Sequence, residues 1–203
     1  SNTYIFIFSL VMVLVVAVLL SFVAMQLKPR QSLNQEIERK EDILKSVGKA
    51  AEVSQVKDKN SYIVEEFGKY ITNSYVVNYE GERVEELDAF EVTLDVKEEI
   101  DKEVEERNLP VFVYTSTEGE NKFIVPVRGK GLWGPIWGYV AFNGDMNTIY
   151  GAIYDHAKET PGLGAEINTE WFEEEFTGKT IFNEEGEFVS VDVIKGGTSP
   201  DNP

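Results

Sequence analysis

The chain has 203 residues, no cysteine, one histidine and a formal net charge of −17. Without cysteine it makes no disulfide, holds no iron–sulfur cluster through thiolates and performs no thiol catalysis, and a single histidine leaves a zinc site short of donors. The acidity argues against nucleic acid as a partner, which wants basic stripes, and against lying flat on an anionic leaflet.

Residues 1–27 carry no charged side chain. Within them, residues 4–25 read YIFIFSLVMVLVVAVLLSFVAM. At about 1.5 Å per residue, a helix of that length crosses the roughly 30 Å hydrocarbon core. It has no basic start, it is longer than a signal-peptide core, and it is apolar on every face. The segment is therefore read as one uncleaved membrane span, residues 1–27. Lys28, Arg30, Arg39 and Lys40 follow the span and no cation precedes it. Taken alone, the positive-inside tendency puts the following domain in the cytoplasm.

Next, Leu33, Ile37, Ile43, Leu44 and Val47 recur at helical spacing, which predicts an amphipathic connector over residues 28–50 that ends near Gly48. Residues 51–203 suffice for one domain. Within residues 62–79, YIV and SYVVNY read as short β runs. Residues 80–106 hold 13 acidic side chains against three basic ones. Val96, Ile100 and Val104 predict a solvated helix there, with Glu98 and Lys102 as an i,i+4 pair. A calcium loop would need a bend glycine among its oxygen ligands, a pattern this run lacks.

VFVYTSTEGENKFIVPV predicts two strands around residues 118–121, and IWGYVAFNGDMNTIYGAIYD two more around residues 143–145. NTEWFEEEF predicts a short helix capped by Asn168 or Thr169. TIFNEEGEFVSVDVIKGG reads as a last hairpin-like pair. The fold class is α+β: one N-terminal transmembrane helix, then a single domain with an antiparallel sheet and a few helices.

Catalytic patterns are scarce. No G-x-S-x-G surrounds a serine, no Gly-rich phosphate motif occurs, and His156 would be the sole base for any triad. No catalytic residue and no metal ligand is assigned. Three glycine-rich loops stand out: residues 128–135 (RGKGLWGP), 159–164 (ETPGLG) and 195–198 (KGGT). Pro161-Gly162 suits a type II turn, with proline at the first corner and glycine at the second. Runs of glycine N–H groups form anion nests, and Trp133 and Leu163 add apolar contact. A flat apolar ring carrying a phosphate wants that mixture. The competing reading makes all three loops plain turns and Trp133 a core residue.

Together, the uncharged span, GKGLWGPIWGYVAF, ETPGLGAEI, WF…F-x-GK and VIKGG resemble the C subunit of the sodium-translocating NADH:quinone reductase. The G subunit of the Rnf complex is a sister that shares ETPGLG, and the GLW-G-P-x-W run leans toward the reductase's C subunit. The resemblance implies a subunit without independent catalysis that relays electrons toward quinone while sodium is pumped. It implies FMN joined through its phosphate to a threonine by a separate transferase. It also implies a domain on the outer, periplasmic face of the bacterial inner membrane, with the other subunits and membrane lipid as partners. By the same resemblance, Gly131, Leu132 and Trp133 lie near the ring. Glu159, Thr160, Gly162, Leu163 and Gly164 form the loop at the flavin, and Lys195, Gly196 and Gly197 lie near the attachment strand. The family's Ser-Gly-Ala-Thr-type attachment motif does not occur in the 203 residues, and Thr198 comes too early to be its threonine. The covalent residue is therefore expected beyond Pro203, and the sequence reads as truncated at its C-terminus. The alternatives are an Rnf-type G subunit, a membrane-anchored binding or sensory module without a redox cofactor, and a scaffold subunit.

Overall fold

The computed structural model describes residues 2–50, 52–94 and 96–193. Lys195, Gly196, Gly197 and Thr198 lie outside the described residues. By compactness the chain divides into two units, residues 1–38 and 39–203.

Helix α1, Asn2–Lys45, is long and apolar enough to cross a membrane; its most apolar window has a mean hydropathy of 3.1 and none of that window is buried. The helix runs through Pro29, which has no N–H to offer the carbonyl one turn back. It stops where Gly48 predicts. The Gly48 N–H donates to Lys45 O at 2.9 Å, the Lys49 N–H to Leu44 O at 2.9 Å, and Gly48 takes φ +69. These two bonds form the Schellman closure, which satisfies carbonyls the helix leaves open.

The second unit is built on a five-stranded antiparallel sheet in sequence order. Its strands are β1 (Ile71–Val77), β2 (Leu109–Thr115), β3 (Asn121–Lys130), β4 (Pro135–Phe142) and β5 (Ile149–His156). Each strand pairs with the next, so both predicted hairpins form. The register sets Phe112 opposite Ile124, Ile124 opposite Ala141, and Tyr139 opposite Ile153. Side chains alternate along a strand, so these residues share one face. On that face they join a core with Ile43 of α1, Val47 in the turn after it, and Ala89 and Val92. Phe67 of α2 (Lys59–Tyr70) and Phe90 of α3 (Ala89–Leu94) pack against it. The Lys40 ammonium lies 5.6 Å from the Phe67 ring and 5.2 Å from the Phe90 ring. On the opposite face, Val140, Phe142, Ile149 and Ala152 are covered by Phe176, Ile181 and Val191 from the segment after β5.

Several local expectations change. Tyr62, Ile63 and Val64, read as a β run, lie in α2. Asp58 accepts the Ser61 N–H at 3.2 Å and caps the helix, and Ile63 is fully buried one turn from Phe67. The cap and the four-residue period outweigh the β preference of an isolated branched pair. The acidic helix expected around Val96, Ile100 and Val104 ends at Asp101, as α4 (Val96–Asp101), and Val104 falls in a separate 3-10 turn. Lys102 then pairs with Glu99 at 2.6 Å, not with Glu98. The final segment forms no paired strands among the described residues. It makes single bridges, Thr148 to Thr180 and Phe182 to Phe188, around a turn in which Gly186 has φ +79.

Candidate functional site

Two of the glycine-rich loops meet. The first joins β3 to β4, and its neck is closed by the Gly131 N–H donating to Gly134 O at 2.8 Å. The second follows β5, whose ladder with β4 continues one step further as the Ala157 N–H donates to Pro135 O at 3.0 Å. Residues 160–163 then form a β-turn: the Leu163 N–H donates to Thr160 O at 3.1 Å, and Gly162 has φ +76. That positive angle is what a type II turn needs at its second corner, so the turn reading of Pro161-Gly162 holds.

The two loops are tied by a carboxylate. Glu159 Oε1 accepts the Trp133 N–H at 2.8 Å, and Glu159 is only 8% exposed. Gly131 and Gly164 flank it: a Cβ on Gly131 would lie 2.4 Å from Oε1, and one on Gly164 would lie 2.7 Å from Oε2. A side chain at either position would push the carboxylate out of its seat. Around this buried tie, Leu132 (83%), Trp133 (63%) and Leu163 (73%) are exposed. Trp133 is therefore not a core residue, although its loop is indeed a strand connection. Thr160 is exposed as well.

The supports of the second loop were not visible in sequence. His156 Nδ1 accepts the Glu159 N–H at 3.3 Å, so the lone histidine acts as a loop acceptor. Glu166 Oε1 accepts the Gly162 N–H at 2.8 Å. Only the four-residue separation of Gly162 and Glu166 could have hinted at that bond. Beyond a 3-10 turn, Gly164–Asn168, comes α5 (Glu170–Glu174), with Trp171 60% exposed. Thr169 precedes α5 as expected, but its hydroxyl donates back to Glu166 O and makes no cap bond. Glu173 Oε1 accepts the Tyr154 N–H at 2.9 Å and ties α5 to β5, while the Phe176 ring lies 4.9 Å from the Tyr154 ring, tilted by 51°. Burial pushes the Glu173 carboxyl above its usual range, with Glu170 and Asp155 adding to the rise and Lys45 opposing it. Burial likewise raises the Tyr154 hydroxyl.

A separate open cleft of ≈ 620 Å³, lined by Lys45, Tyr150, Glu170, Glu173 and Thr177 among others, shares no residue with the two loops. Among the described residues, no cluster of histidine or carboxylate side chains could hold a metal ion.

The chain is 30% identical to the C subunit of the Na(+)-translocating NADH-quinone reductase of Pseudomonas aeruginosa, over 98% of this chain and 80% of that protein. It belongs to this C-subunit family. The C subunit of Vibrio parahaemolyticus is 28% identical, over 91% of this chain and 74% of that one. The crystal structure of the C subunit from Parabacteroides distasonis matches with a TM-score of 0.70 at 39% identity, over 87% of this chain and 80% of that one. That of Shewanella oneidensis NqrC matches with a TM-score of 0.63 at 26% identity, over 83% and 81%. The family model of the FMN-binding domain matches residues 131–202. In this member of the C-subunit family the match therefore opens at Gly131, within the tied loop, and takes in the second loop entire.

The residues present suit a flavin. The two loops meet through a buried carboxylate and expose an indole and two leucines, side chains that can lie against a flat apolar ring. Two glycines leave the backbone bare beside them.

Proposed function

We propose that the chain is an electron-transfer subunit of the sodium-pumping NADH-quinone reductase, with FMN as its redox group. The observation that carries this reading is the Glu159 tie, which joins the β3–β4 loop carrying Trp133 to the loop after β5 carrying Leu163, inside the segment matched by the FMN-binding model. Leu132, Trp133 and Leu163 would hold the ring by apolar contact, and Gly131, Gly162 and Gly164 keep the backbone clear of side chains there. FMN supplies the redox chemistry, and the protein supplies binding and orientation. No proton-transfer residue is required of this chain.

The flavin is held by a phosphoester to a threonine, the attachment that the family resemblance implies. Such a bond makes a strong phosphate loop unnecessary, in keeping with the absence of one from the sequence. The domain faces the outer side of the membrane, anchored by residues 1–27, and the electron partners are other subunits of the complex. Full-length protein made together with its flavin transferase should weigh one FMN more than its chain and absorb in the yellow-flavin region. An unmodified, colourless protein would refute the reading.

A further inference from the structure

Glu159 is the one buried residue in an otherwise exposed stretch: Thr160, Pro161, Gly162 and Leu163 all face solvent. Taking a carboxylate out of water is costly unless hydrogen bonds replace its hydration. Its Oε1 is taken by the Trp133 N–H, and its Oε2 lies where Gly164 leaves no room for a side chain. Its own N–H is turned to His156 Nδ1. The carboxylate is thus seated between the loops and not offered outward.

We propose that Glu159 is a positioning residue: its carboxylate fastens the loop carrying Trp133 to the loop carrying Leu163, and it acts on the flavin only by holding those two side chains. The proposal rests on the flavin reading for its consequence, but the fastening stands on its own geometry. It explains why glycine stands at both 131 and 164. At Gly164 the three nearest atoms that an added Cβ would meet all belong to Glu159. Gly164→Ala should therefore evict the carboxylate and free the Trp133 amide.

The test is amide hydrogen exchange on the full-length protein in detergent, produced with and without the flavin transferase. The Val140 amide of β4 reports on the fold. Glu159→Ala should speed exchange at the Trp133 amide about ten- to a hundredfold, the worth of a charge-assisted hydrogen bond, while Val140 stays protected. Glu159→Gln retains an acceptor oxygen but loses the charge, and should fall between Glu159→Ala and the wild type, about three- to tenfold faster than the wild type. Gly164→Ala should behave like Glu159→Ala, and the double variant should exchange no faster than either, because one contact cannot be lost twice. Should Glu159→Ala lose Val140 protection, Glu159→Gln and Gly164→Ala carry the comparison. Unchanged Trp133 exchange in Glu159→Ala or Gly164→Ala with Val140 intact overturns the proposal, and so do effects that add in the double variant. The two readings fail separately. A colourless wild type whose Trp133 amide responds removes the flavin and keeps the clamp; a yellow one whose Trp133 amide does not respond removes the clamp alone.

Discussion

Two carboxylates that both feel Lys45, the buried Glu41 and the half-buried Glu173, behave oppositely. Glu41 meets a desolvation cost, but hydrogen bonds from Lys59 (2.9 Å) and Lys45 (3.1 Å) outweigh it and hold its carboxyl below the usual value. Glu173 is raised, because burial dominates and its single bond to the Tyr154 N–H only partly offsets it. For Glu41, the depressed folded-state value means stability is present above the unfolded pKa and is lost as pH falls through the folded one. For Glu173 the sign reverses: its contribution is intact below the unfolded value and is lost as pH rises through the raised folded one. Glu173→Gln keeps an oxygen for Tyr154 and removes the ionisation. Its melting temperature should exceed the wild type at neutral pH, and the gap should close as pH falls into the carboxylate range. A gap that does not change with pH would show that ionisation of Glu173 carries no cost. Leu163 and Trp133 were legible as apolar residues in unusual loops. That both are exposed, and tied by a neighbour's carboxylate, was not.

At the scale of elements, glycines divide by backbone sign. Gly48 closes α1 with φ +69, and a side chain there would be strained even though no atom lies within 4 Å. Gly48→Ala should destabilise the domain by about 1–2 kcal/mol, the cost of a left-handed residue with a Cβ. Gly68 lies within α2, also with open space around it and no positive φ. Gly68→Ala should stabilise by roughly 0.4–1 kcal/mol, because alanine loses less freedom on folding. Thermal unfolding of both variants checks the opposite signs. The hairpins were readable because each strand pairs with its sequence neighbour and the turn residues sit between alternating runs. The Tyr62–Val64 run was misread because three residues cannot show a period. The acidic segment was misread because its apolar stripe has little to pack on and the helix breaks after Asp101.

For the whole molecule, the anchor and the acidic domain pose a question of sidedness. The cations after the span favour the cytoplasm, whereas the proposed function needs the outer face. These 203 residues hold no cysteine, so one introduced at Glu118, on the exposed β2–β3 turn, adds a label site that the unsubstituted protein controls for. In intact cells a membrane-impermeant maleimide should label Glu118→Cys without permeabilisation. Labelling only after permeabilisation would place the domain inside and defeat the proposed orientation.

Local composition alone determined the membrane-crossing helix, the α+β class, the two hairpins and the Pro161-Gly162 turn, because each is set by residues close together in sequence. The tertiary structure decided which loops meet. Trp133 and Glu159 are 26 residues apart, and only the β3–β4–β5 register brings that amide within 2.8 Å of that carboxylate. No pattern of neighbours encodes such a bond, since it depends on how three strands align and on the empty space that Gly131 and Gly164 leave around one side chain.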